Sequence, residues 1–264
     1  MFRSLLLSVP FALALAVVTG AAAAQSYGDK MEYAACMKQA RSAPRDTLPR
    51  AEAWVRAGGG LPAEHCAASA LQEMGQYEEA AKRLDALLAK ATAFPAAVRA
   101  DIAAQSGSAW LAIGNAEKAL NAQNIAVQLA PGNAENWIDR SITLAGVGAY
   151  TEAAEDLSTA LKLAPRRADI LILRAAAYRG VKDWKRARTD ADAALVYDAN
   201  NPEALIERAY VKLETGDKRG ADEDFKRALL FTPPDSATAK EAQAGLARPA
   251  GAAPAPVKPV PRKK

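Results

Sequence analysis

The sequence has 264 residues, 24% charged and 6% aromatic, with 34 Lys plus Arg against 30 Asp plus Glu for a net charge of +4. That length holds one or two ordinary domains, and so even a balance lacks the dense basic field of a dedicated nucleic-acid binder. One histidine, His65, and two cysteines, Cys36 and Cys66, exclude multi-histidine, Cys₄ and Cys₂His₂ metal centres and leave serine–histidine catalysis only His65.

Residues 1–24 read as a secretory signal. Arg3 supplies the positive start, Leu5 to Val18 is apolar apart from Ser8 and Pro10, and Ala22-Ala23-Ala24 precedes Gln25 as an A-x-A cleavage site. The apolar run is short for a spanning helix, although a retained anchor stays open as the alternative. Tyr33-Ala34-Ala35-Cys36 has Tyr where a lipobox usually carries Leu, which argues against a lipoprotein. The mature chain is expected in the periplasm or secreted, with no later segment able to cross a bilayer. Oxidising compartments preserve disulfides, and Cys36 and Cys66 lie 30 residues apart. A bridge closing such a loop stabilises by about 3–4 kcal/mol in the chain-entropy account. A reactive thiol pair is the other reading, without a C-x-x-C to support it.

Within 25–60, Met31 to Ala57 looks like a degenerate helical hairpin that ends at the breaker Gly58-Gly59-Gly60. From 61 to 233 the chain repeats. Ala119, Ala153, Ala187 and Ala221 recur every 34 residues, with Ala80 39 residues earlier. A turn precedes each alanine: Gly75-Gln76, Gly114-Asn115, Gly148-Ala149, Lys182-Asp183 and Gly216-Asp217. Pro131, Pro165 and Pro233 close the second helices of their units, because proline cannot continue a helix.

This pattern resembles the tetratricopeptide repeat (TPR), W-x₂-L-G-x₂-Y, then A-x₃-F, then P. Trp137, Leu144, Ala153, Leu157 and Pro165 carry the likeness in unit three, and Gly107, Trp110, Ala119 and Pro131 in unit two, where Gln123 takes the aromatic slot. Ala209, Ala221, Phe225 and Pro233 carry it in unit five, Tyr178 and Ala187 in unit four, and Ala68, Leu71, Ala80 and Leu84 in unit one. The resemblance implies an all-α fold, an α-solenoid in which about five helical hairpins form a right-handed superhelix. The units fall at 61–96, 100–133, 134–167, 168–201 and 202–235. One hairpin cannot bury its own apolar face, so units must stack and both ends need caps. The cap residues are 25–60 at one end and a helix within 236–247 at the other, with Ala242 and Leu246 turned inward. Five extra residues between units one and two are expected to loop out around Phe94-Pro95.

In the family the concave face is built by slots five, nine and twelve of each first helix. Here these hold Ile138, Ile142, Ile172, Ala176, Arg179, Ile206, Tyr210 and Leu213. The resemblance implies an apolar groove for a protein or peptide partner bearing aliphatic and basic residues. The alternative is that the isoleucines pack within the coil or against the C-terminal helix. The combined Lys, Asn and Arg clamp with which some relatives hold a C-terminal carboxylate is absent from these slots, which argues against such a ligand. Asp101, Glu135, Asp169 and Glu203 occupy the second slot of successive units, either offsetting the helix dipole or bordering the groove.

Arg140, Arg174 and Arg208 are followed 16 residues later by Asp156, Asp190 and Asp224. Opposite signs at fixed separation favour ion pairs within each unit over a basic stripe for an anionic partner. His65 has no catalytic companion, and no phosphate-binding or nucleophile-elbow motif occurs. No metal, cofactor or enzyme activity is expected. The segment 248–264 is rich in Ala and Pro and carries Arg248, Lys258, Arg262, Lys263 and Lys264 without one acid, while residues 25–247 carry −2. Such composition is disordered or polyproline-like. The expected role is therefore a non-enzymatic scaffold; the alternative is a tether whose tail meets anionic cell-wall or membrane surfaces.

Overall fold

The computed structural model describes residues 31–248, so the signal segment 1–24, residues 25–30 and the tail 249–264 lie outside the described residues. Among the described residues there are thirteen α-helices and no strands. The chain divides into two compact units, Met1–Lys90 and Ala91–Lys264.

The first unit contains α1 (residues 31–42), α2 (Pro44–Arg56), α3 (Gly60–Glu73) and α4 (Tyr77–Lys90). Proline in the first turn, Asp46 near the start and Arg56 at the end suit α2 to its dipole. Its core gathers Ala40, Ala51, Cys66, Ala67 and Ala70, with Met37, Leu48 and Trp54 packed against them. Cys36 and Cys66 are disulfide-bonded and join α1 to α3. Arg83 of α4 reaches Glu52 of α2 at 2.6 Å.

The second unit contains α5 (Ala96–Ala112), α6 (Ala116–Leu129), α7 (Ala134–Gly146), α8 (Tyr150–Leu163), α9 (Ala168–Gly180), α10 (Trp184–Tyr197), α11 (Pro202–Glu214), α12 (Lys218–Leu230) and α13 (Ala237–Leu246). From α7 onward, first helices start at 134, 168 and 202 and second helices at 150, 184 and 218, so the 34-residue period is the period of the hairpins. Asn115, Asp183 and Asp217 cap second helices, accepting from Lys118, Arg186 and Gly220 backbone N–H groups at 3.1, 2.9 and 2.9 Å. Asn201 and Ser236 do the same for α11 and α13.

Ala119, Ala153, Ala187 and Ala221 are fully buried at the crossing of their helix pairs. A β-carbon at Gly107 would stand 2.7 Å from Gln123 Cγ, so that crossing favours glycine. Larger side chains then fill the space between units: Leu157 and Ile170 in one cluster, Leu205 and Phe225 in the next. The result is an α-solenoid of stacked hairpins ending in α13, whose Ala242 is buried and Leu246 half-buried against the last cluster. One local expectation is corrected. The residues before position 100 do not all loop out; after a short 3₁₀ turn at Ala91–Ala93, Pro95 begins a first helix that starts at Ala96. Pro95 is the extended N-cap before Ala96, and four residues ahead of position 100 join α5.

Candidate functional site

The row of arginines forms a ladder that runs between first and second helices. Arg140 donates from Nε and Nη2 to Asp156 at 2.8 and 2.7 Å, Arg174 to Asp190 at 2.7 and 2.9 Å, and Arg208 to Asp224 at 2.8 and 2.7 Å. The remaining Nη1 of each reaches back to the preceding second helix: Asn124, Ser158 and Asp192, at 3.0, 3.0 and 3.1 Å. Each guanidinium thus ties its own hairpin together and joins it to the one before. The hydrogen bond to its aspartate, opposed by burial, makes each guanidinium still harder to deprotonate. Planar bidentate pairs of this kind are the strong ones.

The expected groove residues lie on the first helices α7, α9 and α11. Ile138, Ile172, Ala176, Arg179, Ile206 and Tyr210 are buried, and Ile142 and Leu213 are half-buried. The open apolar strip is therefore corrected to a packed seam. Small residues let successive first helices touch, α7 with α9 and α9 with α11, and α13 packs against α11 and α12. Ile172, Ile206 and Tyr210 consequently join the cluster that holds Phe225 and Ala242, while Ile138 joins the one that holds Leu157.

Within that seam is a buried ion pair that sequence reading missed. Arg179 Nε donates to Glu207 Oε2 at 2.8 Å, with the two side chains 3% and 6% exposed. The guanidinium also stacks on the Tyr210 ring, 4.7 Å from its centroid. Burial, reinforced by the nearby Glu241 carboxylate, pushes the Tyr210 phenol up to about 12. The pair crosses units from slot twelve to slot six and has no 34-residue echo, because the equivalent positions before it hold Ala145 and Leu173. The only signal was Arg179 itself, a lone cation among apolar slots.

The acidic row stands in the N-terminal halves of α5, α7, α9 and α11. Asp101 and Asp169 are exposed, and Glu135 and Glu203 are half-buried. Glu135, Asp169 and Glu203 lie in the first turns of their helices, whereas the longer α5 puts Asp101 one turn further in. Arg167 bridges two of them, reaching Asp169 at 2.6 Å and Glu135 at 2.7 Å. Its hydrogen bond, against partial burial, holds the Asp169 carboxyl below the usual carboxylate value.

In the first unit His65 is buried, and its Nδ1 lies 2.6 Å from the Tyr33 hydroxyl, next to the bridged Cys66. Among the described residues no cluster of three or more His, Cys, Asp or Glu could hold a metal. No described helix is long and apolar enough to cross a membrane. Lys258, Arg262, Lys263 and Lys264 lie outside the described residues.

Stacked antiparallel hairpins of fixed period, joined by one ladder, define a helical-repeat solenoid. The tetratricopeptide repeat family profile matches residues 111–177, from the end of α5 into α9. MamA of Desulfovibrio magneticus RS-1 is similar in structure with a TM-score of 0.59 at 18% identity, over 65% of this chain and 94% of that one. TTC0263, a thermophilic TPR protein of Thermus thermophilus, gives 0.53 at 19% identity over 71% and 99%. YrrB, described as a TPR protein with an unusual peptide-binding site, gives 0.58 at 15% identity over 73% and 96%. No curated protein sequence matches the chain. The profile match marks tetratricopeptide repeats within residues 111–177, and the structural likenesses show that the chain has the TPR fold.

Proposed function

We propose that this chain is a non-enzymatic, exported scaffold that binds a protein or peptide partner along the first-helix face of its second unit. The supporting observation is the row Asp101, Glu135, Asp169 and Glu203, one carboxylate toward the start of each successive first helix. Regularly stepped acids toward the starts of first helices that carry the half-buried Ile142 and Leu213 further along suit an extended segment with basic and aliphatic side chains. Because the apolar seam beneath is packed, the partner is read by the rim. Periplasmic residence is part of this reading. It is supported by the signal-like 1–24 and by the Cys36–Cys66 bridge, a bond that oxidising compartments preserve.

In-cell photocrosslinking from position 142 tests it, run in the parent protein and in an Asp101→Lys/Asp169→Lys variant whose substitutions are on exposed positions. One dominant adduct that the variant loses is the expected result. An adduct indifferent to both charges, or none, overturns the rim. A tether through the tail is the second reading, favoured by the concentration of basic charge in 248–264. Deleting 249–264 would then release the protein from anionic envelope fractions.

A further inference from the structure

Four of the five turns joining first to second helices place glycine at the same point: Gly75, Gly114, Gly148 and Gly216, with φ between +78° and +91°. The turn between α9 and α10 has Lys182 there instead, 34 residues after Gly148 and 34 before Gly216, at φ +59°. The hydrogen bonding of the turn is kept. Lys182 N–H donates to Arg179 C=O at 3.0 Å and Asp183 N–H to Tyr178 C=O at 2.9 Å. Gly148 and Ala149 make the same two bonds to Ala145 and Leu144. The helix end therefore demands a left-handed residue, a conformation that a β-carbon strains and glycine accepts. Strain kept at one of five equivalent turns points to what the side chain does there.

The Lys182 side chain borders an open depression of about 740 Å³. Val181, Trp184 and Val211 give it apolar lining, and Lys185 and Arg188 join Lys182 around it. Its one acid, Asp183, is engaged by Arg186 at 2.6 Å and caps α10. Arg188 pairs with Asp192 at 2.7 Å, whereas among the described residues no ion pair engages Lys182 or Lys185. The equivalent stretches before it, Gly114-Asn115-Ala116-Glu117 and Gly148-Ala149-Tyr150-Thr151, carry no cation, and in the one after it, Gly216-Asp217-Lys218-Arg219, Lys218 pairs with Asp222 at 2.6 Å and Arg219 with Glu223 at 3.2 Å. The depression stands at the far end of α9 from Asp169, about 18 Å along the helix axis, so it is separate from the acidic rim.

We propose that this depression is a second docking site, for an acidic segment of a partner protein. Its carboxylates meet Lys182, Lys185 and Arg188, and one of its apolar side chains covers Trp184 and Val181. An open trough with charge at its border and an indole in its lining fits an extended chain better than an enclosed small molecule. Complementary rim charge sets orientation and encounter rate.

The test uses the full chain and a fluorescein-labelled Glu-Glu-Leu-Glu-Glu peptide, with Gln-Gln-Leu-Gln-Gln as the uncharged control, read by polarisation at low salt. The acidic peptide is expected to bind and the control not. Lys182→Gly should weaken binding about fivefold while raising the melting temperature, because it relieves the strained backbone. That opposite movement separates a docking role from a folding defect. Lys185→Ala should weaken binding to a similar degree without the gain in stability. Equal binding of both peptides, or unchanged affinity in Lys182→Gly, overturns the proposal. Displacement by inorganic phosphate where chloride of equal ionic strength has no effect also overturns it, making the depression a small-anion site.

Discussion

Asp156 accepts two hydrogen bonds from Arg140, at 2.8 and 2.7 Å, and is itself buried, while Arg140 reaches on to Asn124 of the preceding second helix. The same contacts recur at Arg174 and Arg208, so the ladder sets the register between hairpins as well as within them. Truncating one member leaves a buried carboxylate without its counter-charge. Arg174→Met should cost about 3 kcal/mol, measured by urea unfolding of the full chain. Arg174→Met/Asp190→Leu should recover most of the loss, since the buried charge goes with its partner. A ladder that served an anionic ligand would instead lose binding with little change in stability.

The strained turn makes a second comparison. Lys182→Gly should stabilise by about 1 kcal/mol and raise the melting temperature by about 2–4 °C. At the equivalent Gly148, φ is +82° and nothing crowds a β-carbon, so Gly148→Ala isolates the backbone contribution and should destabilise by a similar amount. Differential scanning calorimetry of both variants measures the pair with opposite signs. Equal signs would mean that the two turns are not equivalent.

The repeat was legible because its physical cause is local. A helix crossing needs alanine-sized residues, so Ala119, Ala153, Ala187 and Ala221 print the period directly on the chain. The ladder was legible for the same reason, both partners lying in one hairpin at fixed separation. The groove was not. Slot numbers say which face of a first helix Ile172 and Ile206 occupy, but their burial depends on how closely α9, α11 and α13 approach, which is a property of packing. Arg179 and Glu207 pair across units, and the positions 34 residues before them hold Ala145 and Leu173, so no periodic search could join them. The turn at Lys182 was visible as a departure from glycine, yet its meaning needed the dihedral angle.

Gly245 of α13 sits directly on the Phe225 ring, which is fully buried and meets Tyr210 edge-on at 5.1 Å between centroids. A methyl group there has nowhere to go without moving the ring. Gly245→Ala should cost about 1–3 kcal/mol and speed amide exchange selectively in α13 and the end of α11. Uniform acceleration across the unit, or none, would show that α13 is not held by this contact.

In the first unit the Cys36–Cys66 bridge closes a loop over 30 residues of sequence between α1 and α3. Cys36→Ala/Cys66→Ala should destabilise this unit by about 3–4 kcal/mol. The second unit contains no part of that loop. Hydrogen exchange followed by mass spectrometry should therefore show α1 to α3 losing protection while α7 to α12 keep theirs. Equal loss in both would place the bridge's effect on the whole chain.

Burial pushes the Asp224 carboxyl up, but hydrogen bonds from Arg208 and Lys212 outweigh it and hold the group below its ordinary value of 3.8. A carboxyl whose folded value is depressed adds stability that is complete above the unfolded value and is lost as pH falls through the folded one. The stability gap between the parent and Asp224→Asn should thus stay level from neutrality down to about pH 5 and close below about pH 4. Tyr210 acts in the opposite range. Burial raises its phenol from 10.0 to about 12, so the folded state keeps a proton that the unfolded chain gives up. The stability this provides is complete below pH 10 and is lost as pH rises toward 12. Unfolding free energies from about pH 2 to pH 12, with Tyr210→Phe as the alkaline comparison, check both ends. A gap for Asp224→Asn that closed already near neutrality would mean that its cations do not hold it charged.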